Sequence, residues 1–424
     1  MASAMVSEQV KFYELSEIIR TITPPKKIQV NEYLTEGDFP VIDQSAPTIA
    51  GWTDDENALV HPAREGVIVF GDHTCVLKFV SFPFAQGADG IKIIEVNSGV
   101  NPHYVYAHLR AFPLLNDGYK RHFSELKRLK IRIPKLSVQN AISEILETID
   151  SKIATNLATS KTLETIAQAI FKSWFLDFDP VKARMAAEGN VGMDDLIAGL
   201  FPNSMEATEI GLIPKGWNRD SLGQHISVTK GKSYKSSELQ GSNTALVTLK
   251  SFARGGGYRF DGLKAFSGAY KAEQVVEPGE LVVSFTDVTQ TADVIGKPAI
   301  VLSNPQFLRL VASLDVGIVR PKSPQVGTYF LYQLFQTSIF NSHIRGYTNG
   351  TTVLHLGKGA LEDFIFPLPP IKILKAFEEF SKSIFEQIQS LYLQNLSLQD
   401  LRDWLLPRLV SGELEIPQEM RAKQ

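Results

Sequence analysis

The sequence predicts an α+β protein: two tandem mixed α/β domains, each followed by a long helix. The two helices would pair as an antiparallel coiled coil under an internal pseudo-two-fold repeat. Three observations carry this prediction. Segments of matching pattern recur about half a chain apart, and two long stretches hold an apolar stripe at helical spacing. The rest alternates strand-like runs with turns marked by Gly and Pro.

The repeat is legible segment by segment. EGVIVFGDHT (65–74) and PGELVVSFTD (278–287) each place a Gly before an apolar strand. HYVYAHL (103–109) and YFLYQLF (329–335) each read as a short aromatic helix, and Gly118-Tyr119 is matched later by Gly346-Tyr347. LKIRIPKLSVQNAI (129–142) and DFIFPLPPIKILKAF (363–377) each give an alternating strand, a proline break and a helix start.

In the first helix Val138, Ile142, Ile145, Ile149, Ile153, Leu157, Leu163, Ile166, Ile170 and Trp174 recur at three- and four-residue steps. The second repeats this with Leu374, Phe377, Phe380, Ile384, Ile388, Leu391, Leu398, Leu401 and Leu405. Roughly 35–40 residues make a rod about 50–60 Å long. One apolar stripe on such a rod needs a second rod to cover it. Asn156 and Asn395 interrupt the stripes; each either sits in the seam and fixes register or turns to solvent.

Bulk properties narrow the function. The chain has 424 residues, 44% hydrophobic and 21% charged, enough for two or more globular domains. It holds no apolar run of some 18 residues, so no membrane span is expected. The start lacks a basic, apolar leader, and a single cysteine, Cys75, excludes an intrachain disulfide. A cytoplasmic location is expected. Net charge is −3, low for a free-standing nucleic-acid binder, but it is segregated: 118–135 is strongly basic and 187–210 carries no Lys or Arg. That division suits one anionic partner and one protein partner.

Catalytic constellations are missing. NPHY (101–104) is near the Asn-Pro-Pro-Tyr loop of amino-methyltransferases, but His103 replaces the second proline and no glycine-rich cofactor loop precedes it. GKS (231–233) lacks the earlier glycine of a phosphate-binding loop, where Ile226 stands. Asp117, Glu125 and Lys127 lie in a basic run better explained by phosphate contact than by a metal-dependent nuclease. The 8 histidines form no metal-ligand spacing, so neither catalytic residues nor a metal site is expected.

The helix ends carry a family likeness. LPRLVSGEL (406–414), after Leu401-Arg402-Asp403-Trp404, resembles the C-terminal conserved helix of the specificity subunits of Type I restriction–modification systems. IFKSWFLDFDPV (170–181) resembles the end of their central conserved helix. PKGWNRDSLGQHISVTKGKSYK (214–235) is similar to the opening of their second target-recognition domain, and IFPLPPIKILKAF (365–377) to its exit. The first domain lacks the family's Trp-Xaa-Xaa-Xaa-Xaa-Leu-Gly ahead of FYELSEII (12–19). The resemblance implies target-recognition domains over 1–136 and 206–369, conserved helices over 137–180 and 370–424, and a linker over 181–205. It implies a non-catalytic subunit that recognises a bipartite, asymmetric target in double-stranded DNA. Its partners would be two methyltransferase subunits using S-adenosylmethionine and restriction–translocase subunits using ATP and Mg, with no cofactor on this chain.

Base reading needs Arg, Lys, Asn or Gln, while phosphate contact needs only positive charge. Candidates in the first domain are Lys120, Arg121, His122, Lys127, Arg128 and Lys130. In the second they are Lys230, Lys232, Tyr234 and Lys235, then Arg254, Tyr258 and Arg259 around three glycines, then Arg345, Tyr347 and Asn349. The spacer is expected to rest on Ile142, Ile145, Ile149, Asn156, Leu163 and Ile170 against Ile384, Ile388, Leu391, Asn395, Leu398 and Leu405. A competing reading is a two-domain coiled-coil scaffold that bridges protein partners without DNA.

Overall fold

The structure, a computed structural model, describes residues 10–63, 65–88, 90–116, 118, 120–187, 193–209, 211–288, 291–323 and 325–421. The chain divides into two compact units, 1–155 with 395–424, and 156–394. Tyr119 and Asp117 lie outside the described residues.

Both units are woven alike. In the first, Ile19–Ile22, Ile91–Val96, Val67–Gly71 and Leu77–Val80 lie side by side in that order, all antiparallel. In the second, Ile226–Lys230, Val316–Pro321, Leu281–Ser284 and Pro298–Ile300 take the same order and sense. A second sheet in each unit is built on a parallel pair: Phe39–Ile42 with Phe84–Gly87, and Thr244–Val247 with Arg309–Ala312. A two-stranded antiparallel ribbon then leads into each long helix. It joins Lys11–Glu14 to Lys130–Ile133 in one unit and Asn218–Ser221 to Ile365–Leu368 in the other. The aromatic helices run over Pro102–Ala111 and Thr328–Gln336. The paired segments read from the sequence therefore occupy equivalent places, except at Gly118 and Gly346. Gly346 ends a helix, Ser338–Gly346, that the first unit does not match among its described residues.

The long helices span Leu136–Phe175 and Ile371–Ser411. Pro134 and Pro370 stand just before them, and Gly412 at φ +82° stops the second. In the first unit Val138, Ala141, Ile142 and Leu146 share one core with Leu406, Leu409, Val410 and Tyr104. Arg402 Nη1 donates to Asp150 Oδ1 at 2.9 Å, and Arg110 Nη1 to Oδ2 of the same carboxylate at 2.9 Å. In the second unit Phe171, Trp174 and Phe175 pack around Phe377 at ring distances of 5.6, 6.0 and 5.2 Å. An early part of each helix thus meets a late part of the other, which is antiparallel pairing.

Both asparagines belong to the seam. Asn156 is 1% exposed and Asn395 5%. Asn156 Nδ2 donates to Gln394 Oε1 at 2.6 Å, and Asn395 Nδ2 to the Ile153 carbonyl at 3.5 Å. Ile142, Ile149 and Ile384 are buried further along the helices, and Ile145, Leu163, Ile170, Ile388, Leu391, Leu398 and Leu405 are half-buried. Leu157, Ile166 and Leu401 are exposed and lie off the stripe. Asn156 holds the seam position, so its neighbour Leu157 is turned outward by one helical step.

The stretch read as a linker is packed where it is described. A short helix covers Asp179–Met185, Val181 and Phe201 are buried in the second core, and Ala198 is buried as well. Arg184 Nη1 donates to the carbonyls of Ala198, Gly199 and Phe201. Among the described residues no helix is long and apolar enough to cross a membrane.

Two outcomes test this packing. Phe377 is fully buried, and Phe377→Ala should lose about 3–5 kcal/mol in denaturant unfolding; a loss under 1 kcal/mol would show that the ring cluster relaxes freely. Burial raises the pKa of Asp150, but hydrogen bonds and charge from Arg402 and Arg110 outweigh it and hold the carboxyl below its ordinary value. A depressed carboxyl stabilises above its unfolded pKa, about 3.9, and that contribution fades as pH falls through the folded value. Asp150→Asn should therefore cost about 1–2 kcal/mol at pH 7, discounted for partial exposure. In thermal melts its gap from wild type should close below about pH 4; a constant gap would remove the ion network from the account.

Candidate nucleic-acid interface

In the first unit the basic run folds around a small anchor. Asp72 Oδ1 accepts from the Phe123 N–H at 2.8 Å and the Asp72 carbonyl from that of His122 at 2.9 Å. This starts the short helix Phe123–Leu126. The His122 side chain is consequently 0% exposed, with Nε2 3.3 Å from the Gly118 carbonyl. It holds the loop together and presents nothing to a duplex, which corrects its place among the candidates. Lys120 pairs with Glu125 at 2.8 Å. Lys127 lies 5.5 Å from the Phe123 ring centre, and Lys92 lies 5.7 Å from the same centre. Arg121, Arg128 and Lys130 are exposed. Lys92 comes from the strand Ile91–Val96, so only the fold brings it to the basic run.

The second unit gathers its candidates unevenly. Lys230 and Lys235 are exposed, while Lys232 is half-buried. Its N–H bonds the Ala312 carbonyl at 2.7 Å. Tyr234 is half-buried, with the Lys264 ammonium 6.0 Å above its ring. Arg345 and Asn349 are exposed, and the Tyr347 hydroxyl donates to Asp363 at 2.9 Å. The charge of Arg345 adds to burial in lowering the pKa of Lys297, so two cations sit close together there. Lys358 lines one cleft with Lys230. It and His355, exposed on the strand Leu354–Leu356, are surface groups that sequence spacing did not single out. Their only signal was the Gly357-Lys358-Gly359 triplet.

The glycine loop does something other than expected. Gly255, Gly256 and Gly257 all have positive φ, at 85°, 113° and 94°. A Cβ on Gly257 would meet Glu164 and Tyr332, and one on Gly256 would meet Pro298 and Gln336. Two of the glycines therefore face inward at ordinary contact distance from their own unit, and it is their positive φ that calls for glycine there, with no approach to DNA needed to explain them. Tyr258 follows them inside, where burial pushes its phenol pKa up. Arg254 stays 81% exposed, 3.9 Å from Asp293, and Arg259 pairs with Asp261 at 2.5 Å.

The near-motifs have structural roles. Asn101 Oδ1 accepts from the Tyr104 N–H at 3.0 Å and caps the aromatic helix, with Pro102 in its first turn. The Tyr104 hydroxyl donates to the Arg132 carbonyl at 2.8 Å deep in the core. Gly231 follows the strand Ile226–Lys230, and a Cβ there would strike the Ser313 carbonyl at 2.1 Å. Among the described residues no group of His, Cys, Asp or Glu is placed to hold a metal ion.

Comparison with known proteins agrees with this architecture. Residues 7–165 match the Type I restriction modification DNA specificity domain. The chain is 24% identical over 335 residues to the Type I restriction enzyme HindI specificity subunit of Haemophilus influenzae, covering 69% of this chain and 70% of that protein. It is 28% identical over 298 residues to the MjaIX specificity subunit of Methanocaldococcus jannaschii, covering 69% and 62%. Its fold follows the crystal structure of a Type I system S subunit from M. genitalium, with a TM-score of 0.52 at 11% identity over 98% of this chain and 99% of the other. The chain is thus similar, through a domain matched over residues 7–165 and relatives at 24% and 28% identity over about two thirds of its length, to the specificity subunits of Type I restriction enzymes, and it shares the fold of a solved S subunit.

Proposed function

We propose that this chain is the non-catalytic DNA-recognition subunit of a Type I complex, reading a bipartite, asymmetric duplex target with one unit on each half-site. The observation that carries this reading is a common frame with unlike surfaces. Both units share one strand order, yet the elements between the aromatic helix and the last strand differ. Unequal half-sites require that combination, because side chains on loops read bases while charge alone holds phosphates.

The paired helices would serve as the ruler. Half-sites on one face of B-DNA lie about 34–36 Å apart, within the span of helices of 40 and 41 residues, each about 60 Å long. Methylation and cleavage would fall to partners: two methyltransferase subunits supplied with S-adenosylmethionine, and restriction–translocase subunits using ATP and Mg. The complex would work in the cytoplasm, and this chain would bind no cofactor of its own.

Removing one four-residue block within 153–165 together with the block facing it should shorten the rod by about 6 Å. The gap between half-sites should fall by about two base pairs, since a base pair rises about 3.4 Å, with the bases read unchanged. Single-molecule methylation sequencing reads this directly, and an unchanged gap counts against the ruler. Arg345→Ala should weaken recognition at one half-site only; an equal loss on an unrelated duplex would reduce Arg345 to a phosphate contact.

A further inference from the structure

The second unit carries a hairpin that the first does not match among its described residues. Thr348–Asn349 pairs antiparallel with Leu354–Leu356, placing Thr348 opposite Leu356 and Asn349 opposite His355, and the far side of Leu354–Leu356 pairs with Thr286–Asp287, so the hairpin forms the outer edge of a three-stranded sheet. Opposed residues share a face of such a ribbon, and successive residues alternate between faces. Leu356 packs on the core of the unit and Thr348 is half-buried. The Asn349–His355 pair therefore lies on the outer face, where both residues are exposed, and so is the tip, 350–353. Beyond Leu356 the chain turns into the wall of a cleft of about 340 Å³ lined by Lys230, Lys358, Glu362 and the apolar Val228 and Phe285.

We propose that this hairpin enters the major groove at one half-site, where Asn349 and His355 read base edges while Lys230 and Lys358 hold a neighbouring backbone phosphate. The exposed tip, 350–353, leads the hairpin toward the groove, and an Asn amide matches the N6 and N7 edge of adenine. The imidazole of His355 offers a donor and an acceptor to the adjacent base. Lysine ammonium groups act as point charges on phosphate and carry no sequence information. Apolar walls between the two lysines suit the deoxyribose that accompanies a phosphate. The assignment rests on the DNA-recognition reading above.

The test selects duplexes from a randomised library with the full chain in complex with its methyltransferase subunits. Asn349→Ala should lose an adenine preference at one position, roughly 5- to 150-fold in discrimination, with the other half-site unchanged. Asn349→Asp, which can only accept, should move that preference toward cytosine. His355→Ala should relax a neighbouring position. Lys230→Ala with Lys358→Ala should weaken every duplex alike and lower the slope of log K against log salt by about one. Wild-type selection with the same bases chosen by the Asn349 and His355 variants would overturn the hairpin assignment alone. No selection by wild type would overturn the subunit reading with it. Denaturant midpoints, unchanged for these exposed positions, separate lost reading from lost folding.

Discussion

Each long helix is half-finished on its own. Its apolar stripe is covered in one unit by the far end of the other helix, through Ile142 and Leu146 against Leu406 and Val410. In the other unit Phe171 and Phe175 are covered by Phe377 and Ile384. In each α/β unit this pairing extends onto the aromatic helix, which lies in the same cluster. Tyr104 sits with the first set of side chains and Phe330 with the second. The sheets are consequently mounted on the helices and do not merely follow them in sequence.

How the aromatic helix is seated shows a repeat that has drifted chemically while keeping its geometry. In the first unit Asn101 caps it, and Ser143 of the long helix donates to the same Asn101 oxygen at 3.1 Å. In the second, Glu378 of the other long helix accepts directly from the N–H groups of Tyr329 and Phe330, both at 3.1 Å. Gly327 leaves the room this needs, since a Cβ there would lie 2.1 Å from the Glu378 carboxyl carbon. A half-buried carboxylate among backbone donors does the work of a neutral pair. Polar contacts along the seam vary likewise. Asp150 bridges two arginines in the first unit, whereas Glu164 accepts from the buried Tyr332 hydroxyl in the second.

Periodicity and turn chemistry are written locally, so the strand–proline–helix passages at 129–142 and 363–377 and both apolar stripes were legible as text. The seam asparagines were legible as an ambiguity, which burial resolved. What stayed hidden depends on distant residues. Nothing near His122 announces that Asp72 will draw its loop inward, and nothing near Gly257 announces Glu164. Among candidate contacts, Lys92 and Lys358 escaped notice because a charge becomes part of a patch only when strands far apart in sequence lie side by side. Leu157 illustrates the opposite error, an apolar residue at plausible spacing that loses its place to a neighbour by one helical step.

The sealing of the first core by Leu406, Leu409 and Val410 bears on biosynthesis. These residues leave the ribosome after the whole second unit, so the nascent first unit waits with its hydrophobic side uncovered. Contacts so remote in sequence form late and leave the intermediate prone to association. A chain terminated a few turns early would retain that open side permanently.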